Sequence, residues 1–349
     1  MSVFGTVIRN EEIADFMRLL NLAREIFKQE LTVVEIMPGG LTNKNFRAVT
    51  EDGTQIAIRL AGQGTANYIN RPGEKHNAGE IAGLGIAPEI YYYDPKTGSQ
   101  IVEYIDAPTM HPVDFQTRDE VLVKAGAVMR RYHDSGLEFK TSFDPVAKID
   151  EYKAILDEHN YGKRYEGWER MVEALECIRA AYAKQPPRRV PCHNDALAEN
   201  FMLQGEQMRV IDWEYGGMND GYYDIACVCV ENPLDARCED VFFRAYCGGE
   251  PSEEAKARLL INKFLVTSHW STWSLVQICY GKDADFYWEY GRTRAVQACS
   301  FLDDPSFSRS LTLLGGLRAG GAAHGIHRNA HYLSHDGLLC RRRNLLHCQ

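Results

Sequence analysis

The chain has 349 residues, 45% of them hydrophobic, and a net charge of −9. It is too long for one small domain and suits two lobes, and its acidic balance argues against nucleic acid as a partner. No basic-then-apolar N-terminal stretch reads as a signal peptide and no apolar run approaches the roughly 18 residues of a membrane span, so a cytoplasmic protein is expected.

Over residues 11–29, Ile13, Phe16, Met17, Leu20, Ala23, Ile26 and Phe27 recur near the helical period, which predicts an amphipathic helix. Residues 32–37, 46–50 and 55–60 read as strands, the last two split by Glu51-Asp52-Gly53. The turn from Pro38 to Asn45 holds Gly39, Gly40, Thr42, Asn43 and Lys44. Its glycines permit close backbone approach to a phosphate, and its Thr, Asn and Lys side chains offer donors. Neither a Walker nor a Rossmann glycine pattern is present. Arg59 closes the alternating strand Ile56-Ala57-Ile58. Residues 91–93 and 101–105 read as the last strands of the first lobe, and 114–135 as one long helix.

The densest signal follows. His193-Asn194-Asp195, Asn200 and Ile211-Asp212-Trp213-Glu214 fall within about twenty residues, around the turn signal Gln204-Gly205-Glu206-Gln207. The flanking runs predict a β-hairpin. A turn centred on Glu206 places Asn200 opposite Asp212, and an amide oxygen beside a carboxylate is a hard site suited to Mg²⁺. Asp195 lies on the loop leading in. A base beside a magnesium site is the layout of phosphoryl transfer.

Further on, Trp270 and Trp273 are three apart in a helical-looking run and share a face, and Tyr290 has Phe286 and Trp288 close by. Such aromatics more often pack a core than hold a cation. The ten cysteines lack metal-binding or Cys-x-x-Cys spacing and read as reduced, mostly buried thiols. From about residue 306 the composition turns to Gly, Ala, Leu, Arg and His, with five of the eleven histidines, which predicts an irregular extension dispensable for catalysis.

Taken together, His193-x-Asp195 with Asn200 five residues after the Asp, and Ile211-Asp212-Trp213-Glu214 after it, resemble the motifs of the aminoglycoside phosphotransferase/choline kinase superfamily, in its bacterial choline-kinase branch. The resemblance covers roughly residues 10–300. It implies an α/β (α+β) protein-kinase-like fold with a small antiparallel-sheet N-lobe (1–106), a mostly helical C-lobe (107–305) and an atypical tail (306–349). It implies ATP and Mg²⁺ as cofactors. Asp195 would be the base, and Asn200 and Asp212 would hold the metal. Arg59 would grip phosphate, braced by Glu74, with Glu80 as the fallback. Thr42, Asn43 and Asn45 would sit in the phosphate-covering loop, and Glu103 to Ile105 would form the adenine hinge. Asp224 would brace the catalytic loop. Glu231, Trp270, Trp273 and Tyr290 would receive the cation of a small alcohol such as choline, because a quaternary ammonium offers no N–H and is recognised by ring faces and diffuse negative charge. The partner implied is that alcohol, with neither nucleic acid nor membrane, and self-association, if any, as a homodimer. The same motifs allow ethanolamine, thiamine or an aminoglycoside as acceptor. A nucleotide-binding pseudokinase module would have lost Asp195, Asn200 or Asp212, and all three are present.

Overall fold

The computed structural model describes residues 2–3, 6–7, 10–37, 43–62 and 70–315. A two-residue hairpin, β1 (Ser2–Val3) and β2 (Thr6–Val7), precedes helix α1 (Asn10–Phe27). Strands β3 (Leu31–Met37), β4 (Lys44–Thr50) and β5 (Gln55–Leu60) follow, then α2 (Arg71–Gly83), β6 (Ile90–Tyr93) and β7 (Gln100–Glu103). These form one antiparallel sheet in the order β3-β4-β5-β7-β6. Both outer strands carry an irregularity, between Val33 and Glu35 in β3 and between Ile90 and Tyr92 in β6. The apolar stripe of α1, with Leu19, Leu20 and Ala23 buried, packs against Phe46, Ile58 and Ile101 of the sheet. Burying the Leu, Ile and Phe side chains among them contributes roughly 1.5–3 kcal/mol each.

The second lobe is helical: α3 (Pro112–Thr117), α4 (Asp119–His133), α5 (Pro145–Glu158), α6 (Trp168–Lys184), α7 (Gly221–Glu231), α8 (Ala236–Cys247), α9 (Glu253–Cys279), α10 (Ala284–Asp303) and α11 (Pro305–Leu313). Two small antiparallel pairs sit among them, β8 (Arg189–Cys192) with β11 (Gly217–Asp220) and β9 (Phe201–Gln204) with β10 (Gln207–Val210). Start signals are local. Asp144 caps α5 by accepting from the N–H groups of Val146 and Ala147, with Pro145 first in the helix; Ser252 caps α9 through Ala255, ahead of Glu253 and Glu254. Most of α9 is buried on every side, so it forms the centre of the lobe rather than one of its faces.

Two sequence expectations change here. The single helix over 114–135 is two, because Arg118 is extended (φ −123°, ψ 100°) and breaks it. The tail boundary at 306 falls inside the packed lobe: α11 continues to Leu313, Phe307 is buried and its ring lies 5.3 Å from that of Phe264. Phe307→Ala is therefore expected to lower stability by about 3–5 kcal/mol, read as a fall in Tm. No described helix is long and apolar enough to cross a membrane, and the eight cysteines among the described residues are free thiols.

Candidate active site

The loop from β8 into Asp195 is held from behind by Asp224, in the first turn of α7. The Asp224 carboxylate accepts the backbone N–H of His193 and of Asn194, each at 2.7 Å, and the Tyr132 hydroxyl at 2.9 Å, with His133 Nε2 at 3.2 Å. Burial alone would raise its carboxyl, but the bonds and charge from His133 and His193 hold it below the ordinary value. His133 is thus built into this brace. Asn194 adopts a left-handed backbone (φ 65°) and ties the loop to Tyr215 and Asn219 through its amide. His193 Nε2 lies 2.8 Å from the Ile211 carbonyl, linking this loop to the hairpin.

Asp195 is half-buried, and its carboxyl is pushed well above the ordinary range by burial, then by the charges of Asp212, Glu214 and Glu231. Asn200 ends a 3₁₀ turn (Ala198–Asn200). Its Nδ2 donates to the Asp195 carbonyl at 2.8 Å, which leaves the amide oxygen as the atom presented to a ligand.

The hairpin forms, but its register differs by one from expectation. Gln204 pairs with Gln207 across the two-residue turn Gly205-Glu206, so Phe201 faces Val210 and the Ile211 N–H bonds the Asn200 carbonyl at 2.9 Å. Asn200 therefore lies opposite Ile211, not Asp212. Asp212 sits one step past the ladder with a left-handed backbone (φ 64°, ψ 59°), which takes it out of the strand into the cleft.

Across the cleft, Arg59 reaches from β5 to all three acids of the far wall and the helix. Its two terminal nitrogens lie 2.9 Å from Asp212, 3.0 Å from Glu214 and 3.5 Å from Glu74. Glu74, on α2, also meets Arg71 at 2.5 Å, the Tyr93 hydroxyl at 2.5 Å and Gln100 at 3.0 Å. Of the two acids considered for Arg59, the structure joins it to Glu74. Burial, then the charge of Asp212, pushes the Glu214 carboxyl up to about 7. Arg71 and Glu214 enter this cluster with no role expected of them from the sequence. Arg71 stands three residues before Glu74 on a helix, which is the available signal.

The slot beside Arg59 is apolar at one end, with Ala57, Ile90, Val102, Met202 and Ile211 on its walls, and polar where Asn45, Arg59 and Asp212 meet. Glu103, Tyr104 and Ile105 line its back. The Glu103 N–H is spent on the Glu89 carbonyl at 2.8 Å and its carboxylate on Arg209 at 2.7 Å, so neither of these groups is left for a ligand. Asn43 is buried at the mouth and accepts from the Gly62 N–H at 3.1 Å. Thr42 lies outside the described residues.

On the α9 and α10 side, the rings of Trp270 and Trp273 stand 5.3 Å apart, and Trp273 meets Tyr290 at 6.1 Å and Tyr287 at 5.6 Å. Gly291 lets α10 lie close against α9 and Tyr165: a Cβ there would overlap Ser274 Oγ and the Tyr165 hydroxyl. Glu231 is not the free carboxylate expected. Arg294 engages both of its oxygens, and the Arg294 guanidinium lies 3.5 Å over the Tyr290 ring. The next residue inward, His269, is buried against Tyr152 and bonds the Tyr223 hydroxyl at 3.1 Å; burial pushes it down to about 3. Below about pH 6.5 the unfolded chain takes up a proton there that the native state refuses, so stability falls as pH falls. Between pH 7 and pH 5 the wild type should lose about 2 kcal/mol more than His269→Gln, measured by urea unfolding at each pH.

A buried Arg–Glu pair under an antiparallel sheet, facing an Asp, Asn and Asp on a helical lobe, defines a phosphotransferase of the protein-kinase-like fold. Residues 33–260 match the model of the phosphotransferase enzyme family, and the chain belongs to that family. Solved relatives agree. A choline/ethanolamine kinase family protein from Mesorhizobium loti is 33% identical, with TM-score 0.74 over 86% of this chain and 99% of that one. The choline kinase LicA from Streptococcus pneumoniae is 26% identical, TM-score 0.68, over 81% and 98%. A LicA structure in complex with AMP is 27% identical, TM-score 0.66, over 82% and 98%. The protein is thus a choline/ethanolamine-kinase-like phosphotransferase.

Proposed function

We propose that the chain transfers the γ-phosphoryl group of ATP to the hydroxyl of a small amino alcohol, choline first. The observation that carries the reading is the grouping of Asp195, Asn200 and Asp212 on one wall, with Arg59 reaching Asp212 from the other. ATP enters the slot between the lobes, its base against Ala57, Val102 and Met202 and its phosphates toward Arg59. This accords with the LicA relative solved with AMP. Arg59 is fork-shaped and exchanges its bonds to Asp212 and Glu214 for phosphate oxygens, while Glu74 keeps it in place.

The donor set fits Mg²⁺: one carboxylate (Asp212) and one amide oxygen (Asn200) whose nitrogen is already committed, with no sulfur or imidazole required. When bound, the ion neutralises charge on the β- and γ-phosphates. Asp195 orients the acceptor hydroxyl and takes its proton late.

Acceptor choice rests on the ring cluster. Removing one desolvated cation–π partner costs about 2 kcal/mol, so Trp273→Ala should lower kcat/KM for choline roughly 30-fold and for ethanolamine less. The deciding experiment is a coupled ADP-release assay of the wild type across choline, ethanolamine, thiamine and an aminoglycoside. Turnover of the last two alone would move the acceptor outside the amino alcohols. Equal losses for both amino alcohols in Trp273→Ala would reduce the ring to a shape role.

A further inference from the structure

Arg294 lies where a substrate cation was expected. Its guanidinium covers one face of Tyr290 at 3.5 Å and takes both oxygens of Glu231. Glu231 is almost fully buried and Arg294 mostly so, so solvent screens the pair little. The pair also adjoins the reacting centre: Glu231 helps push the Asp195 carboxyl up, and Glu231 and Asp195 both raise the Tyr290 phenol.

We propose that Arg294 sets the selectivity of the acceptor site as an internal cation: by occupying Glu231 it withdraws a carboxylate beside the rings that could reward a primary ammonium, and shifts recognition toward ring faces. The inference rests on the reading of this pocket as an amino-alcohol site. Its physical basis is the difference between the two head groups. A primary ammonium offers N–H donors and gains most from a free carboxylate. A trimethylammonium has no donor and gains from Trp273 and from the remaining aromatic surface. With Glu231 consumed, the balance moves to the second kind of recognition. Arg294 contributes by what it withholds, and need not touch the alcohol.

The test is kcat and KM for choline and ethanolamine in the wild type, Arg294→Met, Glu231→Gln and the double variant, each checked for an unchanged fold by near-UV circular dichroism. Arg294→Met is expected to release the carboxylate and lower the choline/ethanolamine ratio of kcat/KM about tenfold, chiefly through the KM of ethanolamine. A single charge-assisted hydrogen bond is sufficient for a change of that size. The double variant should return the ratio to the wild-type value. Glu231→Gln alone leaves Arg294 uncompensated, so both KM values should rise together with the ratio within about threefold. That last result is readable even if Arg294→Met does not fold. A selective loss of ethanolamine in Glu231→Gln, or an unchanged ratio in a folded Arg294→Met, would overturn the role of Arg294 while leaving the amino-alcohol assignment intact. Wild-type turnover of neither alcohol would overturn both.

Discussion

Asp195→Ala is expected to lower kcat by two to four orders of magnitude while the Kd for ATP stays within a few-fold, because loss of a general base typically costs about 10²–10⁴. The loop should survive the change. Its hydrogen bonds to His193, Leu197 and Asn200 run through the Asp195 backbone, and Asp224 holds it from behind. Asp195→Asn keeps the shape and removes the basicity, so it should be nearly as poor. Steady-state turnover with titration calorimetry of ATP separates the two quantities. A variant retaining half of wild-type turnover would remove Asp195 from the proton transfer.

The second large effect is expected at Asp212. Asp212→Ala should reduce kcat at least a hundredfold and raise the Mg²⁺ concentration needed for half-maximal rate, since it deletes a carboxylate from the proposed metal site and the closest acid to Arg59. The backbone adds a separable cost. At φ 64° an alanine is strained by roughly 1–2 kcal/mol, whereas glycine is not. Asp212→Gly should therefore exceed Asp212→Ala in thermal stability and match its poor turnover. A magnesium titration of rate and a melting curve on both variants give the comparison. Equal magnesium dependence in wild type and variants would dismiss Asp212 as a ligand.

Much of this architecture was legible because its signals are short-range. The strands of the first lobe, the hairpin and the Asp195, Asn200 and Asp212 set are encoded within runs of a few residues. What depended on turn detail was less secure. The hairpin turn is Gly205-Glu206, with Gly205 at φ 58°, and that half-residue difference in its centre moved Asn200 opposite Ile211. The extended backbone at Arg118 had no proline or glycine to announce it. Long-range pairing was not legible at all. Arg294 is one of four charged residues between Asp285 and Arg294, and nothing local marks it as the partner of Glu231, 63 positions earlier. Glu231 was expected to meet a substrate because the matching cation of the chain itself cannot be read from spacing. Similarly, the amphipathic α11 lay at an abrupt change in composition, and Phe307 gained meaning only when α9 supplied its cavity wall.

The irregularities in β3 and β6 bear on how this molecule keeps to itself. An outermost strand offers a row of unused amides to any passing chain, and β3 also shows solvent two adjacent apolar side chains, Val33 and Val34. A visiting strand needs a continuous ladder to dock. The shift between Val33 and Glu35 lies in the pairing of β3 with β4 and bends the strand beside the exposed valines, and the shift between Ile90 and Tyr92, in the pairing of β6 with β7, does the same at the opposite rim. Each outer strand is thereby bent, and its edge is a poorer template for strand-to-strand pairing than a flat one.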